Sequence, residues 1–354
     1  MWPSDRLTSL LGIEHPIIQA PMAGSSTPVL AAAVGNAGGM GSIAAAMLDG
    51  DALRAEMATA RGATNGPLNI NFFVHEPPQD DEAKAVSARS LLKSYYDELG
   101  LGDVPEVRAT NFPFDEAMAE VVLALGPKVV SFHFGLPDTS LVTRMRDAGI
   151  LVLSSATTVR EAKILEDGGM DIIVAQGFEA GGHRGTFASS FDQAQVGTMA
   201  LVPQVVDAVS VPVVAAGGIG DGRGIAAAFA LGAAGVQLGT VFLNCAEAGI
   251  APVYREALLE ARDEDTRLTD AFSGRPARGI ANRYIEEMAP QKGVLPDFPL
   301  MNTLTGPLRK ESAGRGSPDF VSLWSGQAVG LNHETDAKTL MNTLVSDAQK
   351  ILGK

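Results

Sequence analysis

A single cysteine, Cys245, occurs in 354 residues, which excludes an internal disulfide and any metal site built on several thiolates. It follows an apolar run, a setting for packing rather than for a nucleophile. Aromatic residues are sparse at 6%, and no stretch of about 18 consecutive apolar residues could serve as a membrane span. The start, Met1-Trp2-Pro3-Ser4-Asp5-Arg6, lacks the basic region and long apolar core of a leader, so a soluble, cytoplasmic protein with no membrane partner is expected. Positive charge is also short: 27 Lys and Arg stand against 41 Asp and Glu, and the net charge of −14 disfavours nucleic acid. Of the five histidines, none has the His/Asp/Glu spacing of a metal centre.

What remains is rich in small and aliphatic residues, 46% hydrophobic with 39 glycines, which is an α/β composition. Eight short apolar, β-branched runs bounded by Gly, Pro or Asn read as strands at 16–21, 40–45, 68–74, 128–135, 150–155, 171–176, 211–216 and 235–242. Several lack the polar alternation of a half-wet strand, as in a parallel sheet covered on both sides. Helical spacing fills 28–37, 51–61, 139–148, 158–167, 199–209 and 222–231, and many of these segments end at glycine. Eight alternating units favour a closed parallel (β/α)8 TIM-type barrel over an open sheet, and the first strand is followed by Ala20-Pro21-Met22-Ala23-Gly24 rather than a dinucleotide fingerprint. We expect a barrel over residues 1–247 with a helical excursion at 76–114, and a 248–354 extension forming a small lid-like subdomain.

Two glycine clusters stand at the ends of the seventh and eighth runs: Ala216-Gly217-Gly218-Ile219-Gly220 and Gln237-Leu238-Gly239-Thr240. Barrels bind phosphate at these two loops, where glycine lets backbone N–H groups approach and a threonine adds a hydroxyl. The sixth run delivers Gln176 and then Gly177-Phe178-Glu179-Ala180-Gly181-Gly182-His183-Arg184-Gly185. Small residues there let a ligand lie against the backbone, and His183 supplies a group that can accept a proton. Glu179 reads as an anion that fixes the loop or pairs with Arg184. Asn69 and Asn71, two apart, share one face of the third run. Ser131, His133 and Gly135 share a face of the fourth, where His133 is equally a core histidine or part of the barrel mouth.

Gln19-Ala20-Pro21-Met22-Ala23-Gly24, Asn36-Ala37-Gly38-Gly39, Val130-Ser131-Phe132-His133-Phe134-Gly135 and the Gln176 to Gly185 loop together resemble the nitronate monooxygenase family, formerly called 2-nitropropane dioxygenases. Phe132-His133-Phe134-Gly135 and the Gly-Gly-His-Arg-Gly ending at Gly185 look like its first, bacterial and fungal, class. The likeness resumes at Gly306-Pro307-Leu308-Arg309 and Trp324-Ser325-Gly326-Gln327. The resemblance implies an FMN flavoprotein that detoxifies alkyl nitronates, such as propionate 3-nitronate, by oxidation with dioxygen to a carbonyl compound and nitrite. It implies Met22 and Gly24 beside the flavin ring, Asn69 or Asn71 with Gln176 at its polar edge, and Gly181 and Gly182 along it. Gly217, Gly218, Gln237, Leu238, Gly239 and Thr240 would hold the phosphate, with His183 catalytic and His133 at the substrate. The pocket-closing aromatic residues do not stand out; Tyr95, Tyr96, Tyr254 and Tyr284 are candidates.

The nearest rival is an NAD(P)H-dependent flavin reductase of the quinone reductase or enoyl-acyl-carrier-protein reductase type, which shares barrel and Gly-Gly-His loop. A nucleotide dehydrogenase would need a loop cysteine beyond the sixth run, and Cys245 lies after the eighth. A non-catalytic flavin or phosphate binder would use the same glycines without needing His183.

Overall fold

A computed structural model describes residues 2–79, 81–109, 113–291 and 293–353. Its central sheet holds eight parallel strands: β1 Ile17–Gln19, β2 Gly41–Ala44, β3 Leu68–Phe73, β4 Val129–His133, β5 Leu151–Ala156, β6 Ile172–Gln176, β8 Val213–Ala216 and β9 Gly235–Leu238. The intervening β7, Gly182–His183, belongs to a second sheet. The eight run in the order β1-β9-β8-β6-β5-β4-β3-β2, and a parallel bridge between Ile18 and Met40 brings the two edges together. There the Gln19 N–H donates to the Met40 carbonyl at 2.9 Å and the Met40 N–H to the Ile17 carbonyl at 3.0 Å, so the sheet curls into the expected (β/α)8 barrel.

Side chains alternate along each strand. Ile17, Ile70, Val130, Val152 and Ile173 point outward into the layer beneath the helices, whereas Ile18, Val129, Leu153, Ile172 and Val214 fill a second cluster with Leu7 and Leu11 of the helix Arg6–Leu11. Each fully buried Ile, Leu or Val contributes roughly 1.5–3 kcal/mol relative to exposure. The helices start where the chain offers short oxygen side chains: Thr27, Asp49, Thr158 and Asp221 each accept a backbone N–H in the first turn of the helix that follows.

The run read as one strand at 235–242 is two elements, β9 and a short helix Thr240–Leu243. The Thr-Val-Phe-Leu stretch is apolar and partly β-branched, so periodicity could not separate strand from helix over so few residues. Residues 76–114 do contain a helix, Glu82–Leu99, whose Leu92, Tyr96 and Leu99 share a core with Phe272, Tyr284 and Leu304 of the C-terminal region. Leu340, Met341 and Leu344 of the last helix, Ala337–Ile351, instead join the barrel's outer core. It lies against the helix Gly222–Ala230 so closely that a Cβ on Gly222 would stand 2.5 Å from the Ala348 nitrogen. Between these parts run β10, Thr266–Thr269, and β11, Ala277–Ile280, antiparallel to each other. No helix among the described residues is long and apolar enough to cross a membrane.

Candidate active site

A cavity of about 700 Å³ opens beyond the C-terminal ends of the barrel strands. Its walls carry most residues singled out from the sequence: Met22, Gly24, Asn71, His133, Gln176, Gly181, Gly182, His183, Gly217, Gly218, Gln237, Gly239 and Thr240. Asn69 and Leu238 are not among them. Asn69 shares the face of Asn71 but sits a layer deeper in the barrel, where its Nδ2 donates to Ser42 Oγ at 3.0 Å. Leu238 is one residue past inward-facing Gln237, so its side chain turns outward into the hydrophobic core. A hollow of about 740 Å³ along the helix Glu82–Leu99 is wide open and is lined by none of the residues singled out as site candidates, so the barrel cavity is the candidate site.

At the β8 and β9 end the wall is backbone. Gly217 and Gly218 have φ of +100° and +71°, a conformation that L side chains rarely adopt. Among the described residues, no acceptor takes up the N–H groups of Gly217, Gly218, Ile219 or Gly239. Free amide dipoles so placed, three of them consecutive, form the kind of nest that can accept an anion. The Thr240 hydroxyl accepts the Gly326 N–H at 3.0 Å and keeps its own proton to donate. Close contact is built in, since a Cβ on Gly181 would lie 2.5 Å from the Gly326 nitrogen.

At the other end His183 is held in place by its main chain. It lies not in a free loop but in β7, paired antiparallel with β11 so that His183 faces Ala277. Its carbonyl accepts from Gln176 Nε2 at 3.0 Å and lies 3.1 Å from His133 Nε2. Gln176 uses its Oε1 as well, accepting the Gly185 N–H at 2.8 Å, so its amide clamps the loop at both ends. His133 likewise has both nitrogens engaged, with Nδ1 2.6 Å from Ser155 Oγ. Asn71 donates to Ser131 Oγ at 3.0 Å and keeps its Oδ1 without a partner among the described residues. Arg184, with its side chain buried, turns inward and donates to the carbonyls of Gln176 and Ala194. Glu179 accepts the Thr198 N–H and hydroxyl at 2.9 Å, fixing the loop to the next helix.

Electrostatics keep both imidazoles neutral. Burial, aided by neighbouring His133, Arg275 and Arg309, pushes His183 down to about 3. Burial likewise pushes His133 down to about 4, against the bond to the His183 carbonyl. The His183 ring is only partly covered by protein, the remainder facing the cavity. Cys245 is buried in the core with its thiol pushed up to about 12, an inert packing residue. No group of three or more His, Cys, Asp or Glu that could hold a metal exists among the described residues.

The model of the family described as "Nitronate monooxygenase" matches residues 4–347. The chain belongs to the nitronate monooxygenase family. A "Probable nitronate monooxygenase" of Staphylococcus aureus strain MRSA252 is 42% identical over 353 residues, covering 99% of each chain. Among solved structures, a nitroalkane oxidase from Streptomyces ansochromogenes superposes with a TM-score of 0.89 at 39% identity, covering 98% of this chain and 99% of that one. FabK from Thermotoga maritima superposes with a TM-score of 0.77 at 29% identity, covering 100% and 98%. Family membership makes the chain an oxidoreductase acting on nitronates.

In this nitronate monooxygenase family member the aromatic lining comes from residues to which the sequence reading gave no pocket role, although Phe134 and Trp324 stand in the motifs that carry the resemblance. Phe73, Phe298 and Trp324 line the cavity, with ring centroids 6.3, 5.4 and 5.6 Å from that of His183, and Phe134 packs behind at 5.9 Å. Of the four tyrosines considered, only Tyr254 reaches the cavity, and its hydroxyl donates to the Trp324 carbonyl at 2.5 Å. Two charges were likewise given no role. Glu161, fully buried, accepts the N–H groups of Phe187, Ala188 and Ser189 at 2.8, 3.0 and 3.3 Å and so ties down the chain after His183. Arg309 lines the cavity with no ion-pair partner among the described residues; its contacts are to Asn302 at 3.4 Å, and its Nε is buried without a partner. A Glu in the first turn of a helix carries no local mark of function, and Gly306-Pro307-Leu308-Arg309 marks likeness to the family without saying what its arginine does.

Proposed function

We propose that the chain is an FMN-dependent nitronate monooxygenase that oxidises alkyl nitronates, propionate 3-nitronate among them, with dioxygen to a carbonyl compound and nitrite, a detoxifying reaction. The observation that carries this reading is one cavity holding a nest of free N–H groups at one end and a neutral histidine beside an unneutralised arginine at the other.

The residues fit FMN. Four free amides and a hydroxyl suit a monoester phosphate, and a second phosphate with its adenosine is not needed to use them. Gly217, Gly218, Gly239 and Thr240 would hold the phosphate, while Met22, Gly24, Gly181 and Gly182 would face the ring. Asn71 Oδ1 and the Gln237 amide are the free groups for its polar edge; Gln176 keeps its amide on the loop and Leu238 contributes backbone. The bound flavin supplies the electron transfer. Arg309 draws the anionic nitronate, or a carboxylate on it, towards His183, because a buried guanidinium without a counter-ion gains most from an incoming anion. Phe73, Phe298 and Trp324 exclude water around that anion. We read the segment carrying Phe298, Asn302 and Arg309, with the second core behind it, as the lid-like part of the 248–354 extension.

The test has two parts. Flavin released by heating should chromatograph as FMN, and incubation with propionate 3-nitronate in air should yield nitrite with oxygen uptake. FAD, or absence of nitrite, would contradict the reading. Likeness to FabK supports a second reading, an NAD(P)H-dependent flavin reductase; its lower identity and TM-score place it behind.

A further inference from the structure

We propose that Ser273 is a positioning residue that fixes His183 in the tautomer with its proton on Nε2, leaving Nδ1 as the bare nitrogen that meets the substrate. His183 Nε2 lies 2.8 Å from Ser273 Oγ. The same oxygen is 3.3 Å from the Arg275 carbonyl and 3.4 Å from the Arg275 N–H. A serine hydroxyl has one proton to place. Given to Nε2, it leaves two oxygens, Ser273 Oγ and the Arg275 carbonyl, facing each other lone pair to lone pair. Given to the Arg275 carbonyl, it lets Oγ accept both the Arg275 N–H and an Nε2–H, and all three contacts are satisfied. Only the second arrangement leaves no conflict, and it requires the proton on Nε2.

The frame around Ser273 is stiff enough to impose this choice. Ser273 is 2% exposed. The Gly274 N–H donates to the Asp270 carbonyl at 2.7 Å, and Gly274 has φ of +83° with the Pro296 carbonyl 2.3 Å from where a Cβ would sit. The Arg275 guanidinium lies 3.9 Å over the Phe134 ring and donates to the Thr186 carbonyl. Two residues on, Ala277 pairs with His183 itself, so the turn that carries the hydroxyl leads straight into the strand that holds the imidazole's own residue.

His183 Nδ1 has no hydrogen-bond partner among the described residues and is not sealed off from the cavity that the ring lines. Because burial and nearby Arg275 and Arg309 hold the ring neutral, the choice between two neutral tautomers decides what it presents. A bare Nδ1 accepts. With a neutral nitroalkane the α C–H bond breaks, its electron pair stays on the nitronate, and the proton forms a new N–H bond at Nδ1 while Nε2–H remains on Ser273.

The nitroalkane step rests on the function proposed above; the tautomer does not. Long-range proton–nitrogen NMR of the purified protein labelled with ring-15N histidine reads the tautomer directly, with the His183 signals identified by their loss in His183→Asn. The wild type should show a protonated Nε2 and a bare Nδ1. In Ser273→Ala the proton should redistribute towards Nδ1, and turnover of a neutral nitroalkane should fall about 10²-fold, more than turnover of a preformed nitronate. Ser273→Thr keeps the hydroxyl and should restore both spectrum and rate. A wild-type proton on Nδ1, or a Ser273→Ala spectrum unchanged from wild type, overturns the proposal. If neither compound is turned over while the spectra behave as expected, the assigned reaction fails and the positioning role stands.

Discussion

The two ends of the cavity are made by opposite means. The end at β8 and β9 is main chain: consecutive left-handed glycines and their free amides, all within a few residues of two strand termini. The His183 end is side chain, gathered from β3, β7, the helix Met301–Gly314 that carries Arg309, and the loops around Phe134, Ser273, Phe298 and Trp324. A ligand's phosphate can be caught by local backbone geometry, because every residue has an amide to offer. A reacting carbon needs shape, dryness and a chosen charge, which only side chains from distant segments can supply. The two ends should therefore fail separately.

The sharpest separation comes from His183→Asn. Turnover of a neutral nitroalkane should fall by about 10²–10⁴-fold in kcat/KM while flavin stays bound at the wild-type ratio, measured by initial rates and by absorbance per protein. Gly217→Ala should do the reverse. Its φ of +100° and a new Cβ 3.0 Å from the Ala180 nitrogen strain the nest. Flavin affinity should weaken by about 1–3 kcal/mol, roughly 5- to 150-fold, in a titration of the apoprotein, with the saturated rate largely kept. Arg309→Met should act within the side-chain end alone, raising KM for propionate 3-nitronate about tenfold by removing a charged hydrogen bond, with a much smaller change in kcat.

The smallest effect is on stability. His183 and His133 have conjugate acids depressed to about 3 and about 4, so below the unfolded value of 6.5 the unfolded chain binds more protons than the folded one. Stability from this source is complete above pH 6.5 and is lost as pH falls towards those depressed values. Each histidine can contribute up to about 1.4 kcal/mol per pH unit in that window. Urea midpoints measured from pH 7 to pH 5 should decline, and His133→Asn should flatten the decline.

This division also explains what the sequence disclosed. The barrel was legible because buried parallel strands and amphipathic helices each leave a local period, and all eight strands lie where the apolar runs stand. The glycine nest and the Gly-Gly-His segment were legible for the same reason, each being one short motif. Asn71 and Asn69 were not separable, because a shared face says nothing about depth in a barrel. Phe73, Phe298 and Glu161 were invisible for a different reason, and Trp324 and Arg309, though they stand in motifs that carry the family likeness, showed no role there. An aromatic or a charge becomes part of a site only through the tertiary fold, and Phe298 lies 115 residues beyond His183 in a segment with no periodic signal. That His183 sits in a strand rather than a loop was equally out of reach, since β7 exists only by pairing with β11, nearly a hundred residues away.

The most direct test of the whole account is anaerobic mixing of the purified protein with propionate 3-nitronate and, separately, with NADH, following visible absorbance in a stopped-flow instrument. We predict rapid loss of the oxidised flavin bands with the nitronate and none with NADH on the same timescale. Rapid bleaching by NADH with an unchanged spectrum in the presence of the nitronate would contradict it.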